Sequence, residues 1–319
     1  MSAPDLVSSR PDVTRQEVRA AILSLVVGVV LLVVKLIAYL LTDSSAIFSD
    51  ALESIVNVLA SGLALYSIVL AHRPADVDHP YGHGKVEFMS AGFEGGMMML
   101  AALVILLRAI EQLVGGAQIV TGQIPLGLAL VGGAGTVNLV IGLYLVQRGR
   151  RNGSITLEAD GRHLLTDAVT SAGVLIALGL VKLTRWPRLD PVAALLVAAW
   201  VAREAWSLLR RSAAGLMDER DVADDNTVRN ILDSHIGATG KEPRICSYHK
   251  LRMRHTGRYH WVDFHIMVRP DLDVRQGHEI ASAIEYEIEL ALGVGNATAH
   301  VEPCVEGECA TCGRKATKT

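Results

Sequence analysis

Charge is what this sequence has least of for its length. Only 20% of its 319 residues are Asp, Glu, Lys or Arg, half are apolar, and the mean hydropathy is positive. That balance is unusual for a soluble enzyme and ordinary for a chain that crosses a membrane several times. Neither sign dominates, and a net charge of -3 suggests no nucleic-acid partner. Cysteine is nearly missing: Cys304, Cys309 and Cys312 crowd the C-terminal end and Cys246 stands alone. No disulfide framework is expected, and the tail reads as reduced and cytosolic. A secretory signal is also lacking. Residues 1–18 are polar, with Arg10, Arg15 and Arg19 around the start of the first apolar stretch, the pattern of a cytoplasmic tail entering an uncleaved helix.

Long apolar runs are what the sequence has instead. Spanning hydrocarbon takes roughly 20 mostly apolar residues in a helix, and six stretches qualify: near Val18–Leu41, Ser45–Ala71, Phe88–Leu113, Leu126–Val146, Ile155–Leu183 and Pro191–Leu209. Positive charge sets their orientation. Arg73 and Lys85 follow the second span, Arg148, Arg150 and Arg151 the fourth, and Arg210 and Arg211 the sixth. Thr42–Ser44 and Gly115–Gln123 carry no Lys or Arg, and Lys182, Arg185 and Arg188 are the exception on that side. Both termini are thus expected in the cytoplasm, and the inner membrane is the expected location.

After about Ala213 the character changes. Asp221–Ile236 reads as an amphipathic helix with acids in its first turn, where the helix dipole favours them. Arg244–Arg254 and Tyr259–Val268 read as strands, the second with Val262, Phe264, Ile266 and Val268 in alternation. Asp273–Leu292 reads as a helix and Thr298–Glu302 as a last short strand. The expected organisation is an N-terminal tail (1–17), a six-helix membrane domain (18–212), a cytoplasmic αββαβ domain (213–304) and a polar tail (305–319).

An ionisable residue inside a span is costly and marks a candidate functional site. Asp50, Glu53 and Asn57, spaced i, i+3, i+7, share one face of the second span, and His163 and Asp167, spaced i, i+4, share one face of the fifth. Two helices with donors at one-turn spacing can make a tetrahedral site. Each motif alone has an ordinary explanation, as a local cap or an interhelical hydrogen bond. Together, in spans with no other apparent acidic cluster, they favour metal. Lys35 and Arg108 lie nearer span ends, where snorkelling accounts for them. In the loop after the second span, Asp76, His79 and His83 offer ligands of zinc type, and Pro80 and Gly82 argue against a continuous helix there. Cys309 and Cys312 form a CxxC in the tail, with no second half-site evident.

Three segments, Ser49-Asp50-Ala51 through Asn57, Asp76…His79-Pro-Tyr-Gly-His83-Gly-Lys85-Val-Glu87, and His163…Asp167, resemble the cation diffusion facilitator family over about residues 14–304. The resemblance implies a homodimer of six-helix units, each with a metallochaperone-like (ferredoxin-like) cytoplasmic domain, exporting a divalent cation against protons by alternating access. It places the transport site on Glu53, Asn57, His163 and Asp167, with Asp50 one turn away as a substitute, and a loop site on Asp76, His79 and His83. It places a cytoplasmic site on His249, His265, His278, His300 and Glu302, and an ion pair on Lys85 and Asp218. Asn57 departs from the familiar zinc pattern, which has Asp there.

Glu53 and Asp167 supply two negative charges and neutral His163 a lone pair. A proton competes with the metal because the ligand must be deprotonated. Zinc is the leading cargo, with iron(II), cobalt, nickel, manganese and cadmium open. Two other readings stand beside transport. A membrane metalloenzyme needs an open coordination position and a general base, but no HExxH occurs and Ser49 and Ser54 lack an obvious His partner. A metal-sensing protein without transport keeps the same fold.

Overall fold

The computed structural model describes residues 11–42, 45–115, 124–184, 186, 188–237, 240–293 and 295–304, with few side chains described between 38 and 53. The chain divides into two compact units, Ser9–Leu216 and Met217 onward.

The first unit is six long helices: α1 Pro11–Thr42, α2 Ser45–Ala71, α3 Val86–Gly115, α4 Ile124–Asn152, α5 Ile155–Thr184 and α6 Leu189–Leu216. Its apolar residues lie partly outside. Val26, Val30 and Ile37 on α1, Leu100 and Leu107 on α3, and Val140 and Leu143 on α4 are each about half exposed or more. Exposed apolar faces on this scale mark contact with a non-aqueous surrounding. Four described stretches are long and apolar enough to cross a membrane: Val13–Ile37, Ser54–Ala71, Val86–Gly115 and Pro191–Leu216. Among the six, α5 carries Glu158, Asp160, Arg162, His163 and Asp167 along its length. Glu158, Asp160 and His163 are buried within the unit, so their polarity faces neighbouring helices.

The helices pair most extensively as α1 with α2, α3 with α6 and α4 with α5, while α5 also touches α1, α2, α3 and α6. Small residues let backbones approach closely where no hydrophobic drive holds helices together. At Gly161 of α5 an added Cβ lies 2.7 Å from the Val146 nitrogen, and at Gly142 of α4 one lies 2.9 Å from the Gly161 carbonyl oxygen. The α4–α5 seam is therefore backbone against backbone.

The second unit comprises α7 Val222–Ser234, β1 Ser247–Thr256, β2 Tyr259–Val268, α8 Val274–Leu292 and β3 Gly295–Pro303. This is the αββαβ order read from the sequence. Asp221 caps α7 by accepting from the Ala223 and Asp224 amides, and Asp273 with Gln276 forms a capping box on α8. The sheet order is β1-β2-β3, with β1 and β2 antiparallel and β2 and β3 parallel. Val262, Phe264, Ile266 and Val268 turn to a core shared with Val228 and Leu232 of α7 and Ala281, Ile284 and Ile288 of α8. Side chains alternate faces along a strand, so burying these four sends Trp261, Asp263, His265 and Met267 to the other face.

Candidate metal sites

In the membrane unit, α2 and α5 bring Asn57, His163 and Asp167 together. The Asn57 Nδ2 donates to Asp167 Oδ2 at 2.7 Å, and Asn57 Oδ1 lies 3.0 Å from His163 Nε2. His163 Nε2 and Asp167 Oδ2 are 4.0 Å apart, and both side chains are largely buried. With its amide nitrogen committed to a carboxylate, Asn57 presents its carbonyl to His163. The imidazole then carries its proton on Nε2, which leaves Nδ1, buried and without a hydrogen bond, as the lone-pair nitrogen. The backbone of α2 passes through Asp50 and Glu53, but their side chains lie outside the described ones.

Two expectations about the spans need correction. Lys35 does not snorkel outward. Its Nζ donates to Ser54 Oγ at 2.8 Å, beside a cavity of about 20 Å³ lined also by Ser24, Asn57, Ser61 and Asn138, because a polar cleft within reach satisfies the ammonium locally. Nor are the two motifs the only acidic features. Glu17, Glu87, Glu94 and Asp160 are all nearly inaccessible. Glu17 meets His72 at 3.0 Å, Glu87 accepts from Ser154 Oγ at 2.6 Å, and Asp160 accepts from Ser61 Oγ at 3.0 Å. Sequence reading has Glu87 only as part of the loop segment and leaves Glu17, Glu94 and Asp160 unremarked, whereas helix packing gathers all four inward.

The loop places Asp76, His79 and His83 within mutual reach. Asp76 Oδ1 accepts from the His79 amide at 2.7 Å and the Asp78 amide at 3.1 Å, an Asx-type turn. His79 Nδ1 lies 3.1 Å from Asp76 Oδ1, and His83 Nε2 lies 3.4 Å from Oδ2. The left-handed backbone of Gly82 (φ 77) folds His83 back over His79, with ring centroids 4.4 Å apart. The His79 amide, followed by the two imidazoles, holds the Asp76 carboxyl below the usual carboxylate range. The group is therefore ionised and open to solvent.

In the second unit the ladder pairs His249 with His265 and His265 with His300, one histidine per strand. Glu302, two residues along β3 on the same face, closes the group. Its carboxylate lies 2.7 Å from His265 Nδ1, 3.2 Å from His249 Nε2 and 3.8 Å from His300 Nε2. Hydrogen bonding from His265 is the main cause that lowers the Glu302 pKa, so the acid is charged and its neighbours supply imidazole donors. The donor atoms of His249, His265 and Glu302 lie within 4.8 Å of one another, a set that suits a divalent transition metal. His278 is the departure: it stands exposed on α8 and is not among these three. Lys85 and Asp218 belong one to each unit. Cys309 and Cys312 lie outside the described residues, and Cys304 is buried at the end of β3.

A second cluster in this unit, Asp224, His255 and His260, escaped sequence reading. Ending β1 at Arg254 hid it, since the pairing of His255 with His260 follows only once β1 runs to Thr256 and a two-residue turn follows.

Comparisons with known proteins bear on the family. Residues 21–217 match the cation efflux transmembrane domain, and residues 228–304 match the cytoplasmic domain of cation efflux proteins. An uncharacterized transporter of Synechocystis, sll1263, is 35% identical over 89% of this chain and 89% of its own. The manganese efflux system protein MneP of Bacillus subtilis is 27% identical over 94% of this chain and 100% of its own. The cation-efflux pump FieF of Shewanella oneidensis is 27% identical over 88% and 92%. The chain belongs to the cation efflux family, the cation diffusion facilitators that its motifs resemble, and is a membrane-spanning metal cation transporter rather than an enzyme.

Proposed function

We propose that this protein exports a divalent transition metal, zinc foremost, from the cytoplasm across the inner membrane in exchange for protons. The observation that carries the reading is the Asn57–His163–Asp167 triangle between α2 and α5. Asn57 links the His163 imidazole to the Asp167 carboxylate. A dication needs an imidazole lone pair and the carboxylate as donors, so a proton taken up by His163 or Asp167 competes with the metal. Proton uptake at these donors on one side of the membrane and proton loss on the other exchange protons for metal. Glu53, or Asp50 one turn away, completes the set with a second charge. Iron(II), cobalt, nickel, manganese and cadmium are the competing cargoes, and one relative's printed name specifies manganese.

The protein works as a homodimer by alternating access, with both termini cytoplasmic. The loop group Asp76, His79 and His83 gathers metal at the surface. The His249–His265–Glu302 group, with His300 beside it and His278 a further donor, senses metal in the cytoplasm. The test is flux in proteoliposomes with a fixed inside pH and a panel of divalent metals, for wild type and His163→Asp. Metal movement opposed to a proton gradient is expected, with His163→Asp shifting preference toward harder cations. Binding without flux supports the sensing role instead, and hydrolytic activity a metalloenzyme.

The cytoplasmic group has its own expected result. The second unit has its own core, so residues from Met217 onward, produced alone, gain thermal stability with zinc by linkage. At 100 times Kd the gain is about 2.7 kcal/mol. Changing His265 and His300 to Ala removes most of the rise in melting temperature, and an undiminished rise overturns the assignment.

A further inference from the structure

The β1–β2 connection is a two-residue turn, Gly257–Arg258, that closes on the Thr256–Tyr259 pair. His255 and His260 are therefore directly opposed in the ladder and share a face, with their rings edge-on and centroids 4.6 Å apart. His260 has the parity of Val262 and Phe264, so this is the core-bearing face, opposite the one that carries His265. Asp224, in the first turn of α7 and one turn before the buried Val228, reaches both rings. Its Oδ2 lies 3.3 Å from His255 Nε2 and 3.0 Å from His260 Nδ1. Both nitrogens are sealed from solvent, and neither is aligned for a hydrogen bond.

Two sealed imidazole nitrogens that approach one carboxylate without making hydrogen bonds are expensive by themselves. The same arrangement suits three donors around one cation. Zinc with bonds of about 2.0–2.2 Å in tetrahedral geometry holds adjacent ligand atoms roughly 3.4 Å apart, close to both contacts. We propose that Asp224, His255 and His260 form a separate binding site for a divalent transition metal of borderline softness, of the zinc or cobalt(II) class, with a fourth position left to water. Two imidazoles disfavour magnesium and calcium, which take oxygen ligands. The site ties the tip of the β1–β2 hairpin to the first turn of α7, the helix that follows α6 after the short segment Met217–Asp221. It rests on neither transport nor the His249–His265–Glu302 group.

The test is a count of bound metal by equilibrium dialysis of the full chain in detergent against zinc chloride. His255→Gln with His260→Gln loses one zinc equivalent per chain relative to wild type, and the matching cobalt(II) difference spectrum shows a tetrahedral band. Flux in proteoliposomes stays within twofold of wild type, which keeps this result distinct from any failure of transport. Unchanged stoichiometry in the double variant overturns the site. A loss larger than one equivalent signals collapse of the hairpin, and Asp224→Ala then decides: one equivalent lost upholds the site and none lost overturns it.

Discussion

Replacing Asp167 with Ala abolishes metal flux, by at least about a hundredfold, while the protein still folds and inserts. The carboxylate accepts the Asn57 amide at 2.7 Å and stands one helical turn from His163, so on the proposed transport site it contributes charge where a dication must shed water. An ion leaving water for a helix interior needs compensating charge, because uncompensated burial costs several kcal/mol per ion even after relaxation. Folding depends on it much less. The truncation leaves the Asn57 amide one partner short, a cost of about 1–3 kcal/mol, and removes no apolar packing. Asp167→Asn separates the two contributions, since it keeps the shape and loses the charge. Both variants are expected to be silent in proteoliposomes and monodisperse in detergent. Flux in Asp167→Asn near the wild-type rate would show that the cation takes another path.

Replacing Asn57 with Asp tightens metal binding by about tenfold or more and slows release. In the present structure the Asn57 amide donates to Asp167 while its carbonyl faces His163. A carboxylate in its place points two acids at each other across the same short gap. Like charges that close repel unless a proton or a cation sits between them, so the metal-free protein is penalised and the metal-bound protein is favoured. One pKa unit of altered competition corresponds to about 1.4 kcal/mol, a factor of ten in affinity. Release then demands more protons, so maximal flux moves to lower external pH. Proteoliposome assays at fixed internal pH read affinity and pH dependence together. Identical values for Asn57→Asp and wild type would remove Asn57 from the metal's immediate ligands.

The fold was legible where one rule governs a whole segment. Hydrocarbon thickness fixes the length of the long helices, and alternation along Val262–Val268 fixes β2, its core face and, by parity, the outward placement of His265. The membrane triangle was legible in outline, because Asn57, His163 and Asp167 fall on helical faces at one-turn spacing. Its wiring was not: only three-dimensional packing shows one amide spanning an imidazole and a carboxylate. Lys35 and Asp160 were misread or missed for a related reason. Distance from a span end predicts whether a charge can reach water, yet Lys35 finds Ser54 and Asp160 finds Ser61, partners distant in sequence. His278 shows the converse, a residue of the right type placed by resemblance that α8 presents to solvent. Asp224, His255 and His260 depended on the length of a single strand, the kind of boundary that local pattern fixes least well.

The glycine seam between α4 and α5 bears on how the molecule can move. With the Gly142 and Gly161 backbones in direct apposition, there is no layer of side chains to slide on, and the two helices travel as one body. The α1–α2 pair is the other party, since Asn57 rides on α2 while His163 and Asp167 ride on α5. In the alternating-access cycle proposed above, opening toward either side would displace one pair against the other, and that displacement would pass through the proposed ligands. On that proposal, grip and gate are the same three side chains. A substitution that loosens the seam, such as Gly161→Val, lets α5 shift without α4 and uncouples cargo release from the change of facing, which makes a leak rather than a block.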